Sequence, residues 1–294
     1  MIVIAACQLD LAVGERDGNA RAAETAVREA ASRGANLIVL PELSDTGYVF
    51  ASPAEARALA APAAASPALR HWRDLASDHG VVIAGGFCEL GGDGNLYNSA
   101  AFVDRTGTRA VYRKAHLWDT EKLVFTPGAA APPVIDFPFG RAGLMICYDL
   151  EFPEWVRLAA LGGCDIIAAP VNWPALAQAP PGERAAEVVR AQANASVNGV
   201  FVAVADRCGR ERGVCWVGGT VIVGPDGYPL AGPAEPGRAA VLTAACDLAR
   251  ARDKKISDRN DIVADRRPAL YHGLCAAGVG DTAAASEPET TRSM

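Results

Sequence analysis

Short runs rich in β-branched and other apolar residues alternate along this chain with longer segments of helical periodicity. No other feature narrows the accessible folds as much. The runs at 2–8, 36–40, 81–87, 99–103, 109–112, 142–147, 165–169, 200–205, 219–223 and 239–246 read as strands. Segments 17–33, 53–60, 66–79, 153–161 and 182–198 read as helices. In the first of these, Ala20, Ala23, Val27 and Ala30 fall at helical spacing and Gly34 is placed to end the helix. Gly91-Gly92-Asp93-Gly94-Asn95 is a turn between 81–87 and 97–103, which predicts a hairpin, and Pro225-Asp226-Gly227 is a second such turn. Strand–helix units mixed with hairpins imply an α/β fold with a mixed sheet and helices on its outer faces.

The 294 residues fit one large α/β domain, and nothing linker-like divides them. A single domain is expected over 1–275. Residues 276–294, small and polar, read as a C-terminal tail that is flexible or contacts a neighbouring subunit. A net charge of −6 offers no basic field for nucleic acid or an anionic membrane, and no apolar run is long enough to span a bilayer. Of eight cysteines, Cys7, Cys147 and Cys164 lie in or beside apolar strands, as free thiols do in reducing compartments. The first residues, Met1 to Ala6, read as a strand rather than a leader, so a cytoplasmic location is expected.

Three segments place a reactive side chain at the end of an apolar strand. Leu37-Ile38-Val39-Leu40 runs into Pro41-Glu42, where partial burial would raise a carboxyl pKa and make Glu42 a usable general base. Ala110-Val111-Tyr112-Arg113 leads to Lys114, a fixed positive charge for a developing oxyanion. Gly143-Leu144-Met145-Ile146 ends at Cys147, with a helix opening soon after at Phe152-Pro153-Glu154. Backbone N–H groups at such a turn favour a reactive thiolate. Taken singly, each has an ordinary reading: a surface acid or helix cap, a solvated lysine, a core cysteine. The weight lies in their joint occurrence and order.

Pro41-Glu42-Leu43, Tyr112-Arg113-Lys114-Ala115-His116-Leu117 and Ile146-Cys147-Tyr148-Asp149-Leu150-Glu151-Phe152-Pro153-Glu154 resemble the three catalytic motifs of the nitrilase superfamily. Gln8, Phe125-Thr126-Pro127-Gly128 and Asn198-Gly199-Val200-Phe201-Val202 support the resemblance, which covers roughly residues 2–272. It implies a four-layer α-β-β-α sandwich, a homodimer or larger homo-oligomer, and no metal or organic cofactor. It further implies that Cys147 attacks a carbonyl or nitrile carbon and that Glu42 shuttles protons. Lys114 and the backbone N–H of Tyr148 would hold the oxyanion. Glu121, seven positions after Lys114, matches a second glutamate that many members use to orient substrate or lysine.

Competing readings are weaker. The four histidines His71, His79, His116 and His272 carry no local signature of a Cys–His hydrolase. His71 and His79 fall on a polar helix, and His116 is expected to pack near the site without acting as the base. No Cys-x-x-Cys or His-Glu-x-x-His pattern suggests a metal site, and the formal glycosylation sequon Asn194-Ala195-Ser196 falls on an expected helix. A non-catalytic binding module of the same fold would be signalled by loss of Glu42, Lys114 or Cys147, and all three are present.

Within the resemblance, Tyr148-Asp149 after the cysteine is like the amidase and carbamoyl-hydrolase pattern, whereas Trp-Glu is frequent in nitrilases. The stretches 205–213 and 260–267 resemble a branch in which amidases and small aliphatic nitrilases intermix. Tyr48 and Asn172-Trp173 are candidate pocket residues, suited to a small, weakly polar acyl group. Arg184 and Arg190 are the arginines available for a substrate carboxylate, although a solvated helix face is their plainer reading. The expectation is an amidase acting on a small aliphatic or aryl-aliphatic amide. The alternatives are a nitrilase and an N-carbamoyl amide hydrolase.

Overall fold

A computed structural model describes residues 1–176 and 179–275. Strands β1 (Ile2–Asp10), β2 (Leu37–Val39) and β3 (Val82–Leu90) run parallel, and β4 (Leu96–Asp104) and β5 (Gly107–Arg113) extend the sheet antiparallel. The expected hairpin is present, with β3 and β4 in register from Ile83↔Val103 to Leu90↔Leu96. Helices α1 (Arg16–Ser32), α2 (Pro53–Leu59) and α3 (Pro67–His79) lie between the strands in sequence. Alternation along β1 decides what each face meets. Ala5, Cys7 and Leu9 join Ala23, Val27, Leu69 and Trp72 of α1 and α3, while Ile4 and Ala6 join the core between the sheets.

The second sheet begins with β6 (Val134–Phe137) antiparallel to β7 (Gly140–Leu144), with β8 (Ile166–Pro170) and β9 (Phe201–Ala205) parallel to β7. Helices α4 (Pro153–Leu161) and α5 (Ala186–Asn198) bury Val156, Ala159, Ala191 and Ala195 in the same core. The chain then returns to the first sheet as β10 (Arg207–Cys208), beside the end of β1. A small hairpin follows, β11 (Arg210–Glu211) with β12 (Val214–Cys215). Strands β13 (Val221–Val223) and β14 (Pro229–Ala231) complete the second sheet, and β15 (Ala240–Cys246) runs antiparallel to β1. The layers are α1/α3, first sheet, second sheet, α4/α5, so the expected four-layer α-β-β-α sandwich is the observed one. Each fully buried Leu, Ile, Val or Phe in this core contributes about 1.5–3 kcal/mol by leaving water.

Some boundaries differ from the sequence reading. The strand expected through Cys147 stops at Leu144, and Cys147 opens a 3-10 turn, Cys147–Glu151. The last helix begins at Ala186 rather than 182. On α1 the buried stripe takes Asn19 in place of Ala20, because Asn19 exchanges hydrogen bonds with the Ala12 backbone. Gly34 does adopt the left-handed conformation after α1, at φ 82°.

Residues Met1–Asp253 make one compact unit, and a second begins at Lys254. In the second, the short strands Lys255–Ser257 and Asn260–Asp261 pair, and Asp261 Oδ1 accepts from the N–H groups of Val263 and Ala264, both at 2.8 Å. The tail expected over 276–294 lies outside the described residues. Among the described residues no helix is long and apolar enough to cross a membrane.

Candidate active site

Glu42, Lys114 and Cys147 emerge near one another because three chain segments leave the two sheets in the same region. Beyond β2 the chain keeps pairing with β3, through Leu40 N–H to Ala84 O at 2.7 Å and Gly86 N–H to Pro41 O at 3.0 Å. Gly86 is needed there, since a Cβ would lie 2.4 Å from Leu43 N and 2.5 Å from Glu42 Cα. The chain then turns sharply, with Leu43 at φ 46°. Glu42 meanwhile bridges to the second sheet. Its N–H donates to Val171 O at 3.4 Å, and Asn172 Nδ2 donates to its carbonyl at 2.9 Å.

Lys114 follows β5 directly, and its carbonyl accepts from Gly128 N–H at 2.8 Å. Gly128 has no room for a side chain, because a Cβ would stand 2.2 Å from Arg113 O. Cys147 follows β7 with φ 47°, a conformation uncommon and strained for a residue with a Cβ. Its thiol donates to Asn172 O at 3.7 Å.

The polar cluster is buried. Glu42 and Lys114 are fully buried, Glu121 is 3% exposed and Cys147 5%. Lys114 Nζ donates to Glu42 Oε1 and to Glu121 Oε1, both at 2.7 Å. Asn98 Nδ2 donates to Glu42 Oε1 at 2.6 Å, and Tyr48 Oη to Glu121 Oε1 at 2.6 Å. Glu121 Oε2 accepts from Trp118 N–H at 3.0 Å. Glu42 Oε2, by contrast, is buried with no hydrogen-bond partner.

Burial dominates the electrostatics. It pushes the Glu42 carboxyl up to about 7, and Lys114 only partly opposes it. The Cys147 thiol is raised well above its ordinary value, by burial first and by the charge of Glu42 second, with Lys114 acting the other way. Burial disfavours the Lys114 ammonium, but Glu121 and Glu42 outweigh it and hold the lysine protonated. Tyr48 stays a neutral donor, raised by burial and then by the charge of Glu121. The resting cluster therefore holds a neutral thiol, a fixed ammonium and a Glu42 carboxyl that gains or loses its proton at about 7 and has one oxygen without a partner.

A cavity of about 690 Å³ reaches this cluster through Glu121 and Tyr148. Tyr48, Phe50, Trp118 and Trp216 form much of its wall. Of the candidate pocket residues, Tyr48 and Tyr148 line it. Asn172 instead braces Glu42 and receives the Cys147 thiol. Trp173 is corrected to a core residue: it is 4% exposed, its N–H donates to Asp206 Oδ1 at 3.0 Å, and its ring faces Gly219 inside the sandwich. Arg184 and Arg190 are exposed and occupied with Gln192 and with Glu151 and Glu187. Among the described residues no arginine lines the cavity. The sequon residue Asn194 is buried and donates to Leu150 O at 2.7 Å.

Sequence reasoning passed over Asn98 and Trp216. An asparagine inside the apolar run of β4 was a usable signal, since a buried amide there must find a partner. Trp216 carried none, being placed by the buried Arg207, whose guanidinium lies 4.5 Å over its ring, and by Tyr48, 5.5 Å away edge-on.

Residues 3–256 match the family described as carbon-nitrogen hydrolase. A nitrilase of Pyrococcus abyssi is 39% identical over 271 residues, covering 92% of this chain and 99% of its own. An N-carbamoylputrescine amidase of Arabidopsis thaliana is 33% identical over 278 residues, covering 87% of this chain and 89% of its own. Among solved structures, a mutant of the amidase from Nesterenkonia sp. AN1, with acrylamide added at its active-site cysteine, superposes with a TM-score of 0.78 at 28% identity, covering 93% of this chain and all of its own. The chain belongs to the carbon–nitrogen hydrolase family, within the nitrilase superfamily, and is a hydrolase of carbon–nitrogen bonds other than peptide bonds.

Proposed function

We propose that the protein is an amidase that converts a small, uncharged aliphatic or aryl-aliphatic amide to its carboxylic acid and ammonia. The observation that carries this reading is the buried Glu42–Lys114–Glu121–Cys147 cluster beside an aromatic cavity that no arginine lines among the described residues. Among the described residues Lys122, which is exposed, is the one cation of the lining, and the aromatic remainder of the wall suits an uncharged acyl group.

The free Oε2 of Glu42 takes the thiol proton as Cys147 Sγ attacks the carbonyl carbon. The oxyanion is held by the Lys114 ammonium and by Tyr148 N–H, one of the first N–H groups of a helical turn, which the turn itself cannot satisfy. Protonated Glu42 then gives its proton to the departing nitrogen. Ammonia leaves, and a thioester remains on Cys147. Water attacks the thioester, Glu42 accepts its proton, and collapse returns that proton to sulfur while releasing the acid. Glu121 and Asn98 act on Lys114 and Glu42, holding both in place.

The similarity to the Pyrococcus abyssi nitrilase favours a second reading, in which the same cysteine adds to a small nitrile. Ammonia release from a panel of small amides, matching nitriles and N-carbamoyl compounds separates the readings, with Cys147→Ala as blank. Release from amides that vanishes in the blank supports the amidase. Release from nitriles alone replaces it with the nitrilase, and from N-carbamoyl compounds alone with a carbamoyl hydrolase.

A further inference from the structure

Asp149 is fully buried, two residues beyond Cys147, and both of its oxygens are filled by donors from the segments that carry the site. Oδ1 accepts from His116 N–H at 3.1 Å and from His116 Nδ1–H at 2.7 Å. Oδ2 accepts from Tyr112 Oη–H at 2.7 Å and from Ile146 N–H at 3.0 Å. Tyr112 and His116 stand two residues either side of Lys114, and Ile146 immediately precedes the nucleophile. The partners are themselves immobilised. Tyr112 Oη accepts from Trp155 Nε1 at 3.1 Å and from Ala115 N–H at 3.3 Å, and the His116 ring stacks on Phe152 at 3.8 Å.

A carboxylate with four donors on two segments is a rigid tie. Its bonds are charge-assisted and sheltered from water, so each is stronger than a surface contact. Oδ1 holds the backbone and ring of His116 beyond Lys114, and Oδ2 joins the Tyr112 hydroxyl before Lys114 to the N–H of the residue preceding a Cys147 at φ 47°.

We propose that Asp149 is a positioning residue that sets Lys114 Nζ against the carbon attacked by Cys147 Sγ, so that the ammonium meets the oxyanion as it forms. The proposal rests on the reading of Cys147 and Lys114 as nucleophile and oxyanion donor. It differs from a purely structural role for Asp149, which would be to cap the turn at Cys147–Glu151 and affect folding alone.

The test is Asp149→Asn in the full chain, which keeps the shape but turns an amide N–H₂ toward groups that are all donors. Active sites are counted by alkylation of Cys147, resolved by peptide mass spectrometry from the exposed Cys215 and Cys275, and kcat is expressed per alkylatable Cys147. The expected result is a fall in kcat of about thirtyfold or more, since misplacement by 1 Å costs on the order of a hundredfold. KM for the same amide stays within about threefold, the pattern of an interaction used only in the transition state. A folded variant with a lower Tm but a kcat per site within about twofold of wild type would overturn the proposal.

Should Asp149→Asn fail to fold, His116→Phe and Tyr112→Phe keep their rings and remove one side-chain donor each. Their kcat losses per site are expected to be non-additive in the double variant, because both act through one carboxylate. Single variants with unchanged kcat overturn the proposal. Failure of the underlying reading shows earlier, as wild-type protein that still releases ammonia after full alkylation of Cys147.

Discussion

Lys114 Nζ lies 2.7 Å from Glu42 Oε1, both side chains are fully buried, and the other oxygen of Glu42 has no hydrogen-bond partner. Glu42 is thus held by one oxygen and left open at the other, as its proposed role of general base requires. Glu42→Gln is expected to abolish measurable turnover while Cys147 still alkylates. The charge of Glu42 raises the thiol pKa, so its removal should move the midpoint of alkylation by iodoacetamide to lower pH. An unchanged midpoint would show that the carboxylate charge is not felt at sulfur.

Removing the nucleophile tests the same cluster from the other side. Cys147→Ala should release no ammonia from any amide the wild type accepts and should keep its circular dichroism spectrum. Its Tm should stay within a few degrees, because the thiol makes one weak bond, to Asn172 O at 3.7 Å. Residual activity at the wild-type level would end the assignment of Cys147.

Activity should rise with pH through about 7. Glu42 accepts a proton only when ionised, and burial, partly offset by Lys114, has pushed its pKa up to about 7. The acidic limb of kcat/KM for the free enzyme reports that group. An acidic limb centred near the ordinary carboxyl value of 4.5 would contradict the burial argument.

Glu121 shares Lys114 with Glu42 and is fixed by Tyr48 Oη and Trp118 N–H. Deleting one partner of a buried ion pair costs about 3–5 kcal/mol, here moderated because Glu42 still faces the lysine. Glu121→Ala should lower both Tm and kcat/KM, the latter by about tenfold or more for each 1.4 kcal/mol of lost oxyanion stabilisation. Unchanged kcat/KM would remove Glu121 from the site.

Asp45 offers a stability test away from the chemistry. Burial raises its carboxyl from 3.8 to about 7, against the hydrogen bond it accepts from Cys88 N–H. A group raised on folding contributes stability fully below its unfolded pKa, and that contribution is lost as pH rises through about 7. Relative to Asp45→Asn, the wild type should therefore lose Tm between pH 4 and pH 8. A Tm difference independent of pH across that range would show that Asp45 is not raised.

What the sequence determined by itself is local. Period-2 runs such as 2–8 and helical stripes such as Ala23, Val27 and Ala30 fix which faces are apolar. Sheets and helices with such faces stack into few arrangements. The meeting of Glu42 with Lys114 near Cys147 was legible because each follows a strand of that pattern, and their joint motifs are specific. Packing across long separations decided the rest. Asn98 reaches Glu42 across 56 residues, Lys114 reaches Glu42 across 72, and no pattern within a few residues encodes such meetings. Packing against Gly219 and a hydrogen bond to Asp206 put Trp173 in the core, while Arg207 and Tyr48 made Trp216 part of the cavity wall. The proton-bearing state of Glu42 and Cys147 is also tertiary, because desolvation is set by everything packed around a group and not by its neighbours in the chain.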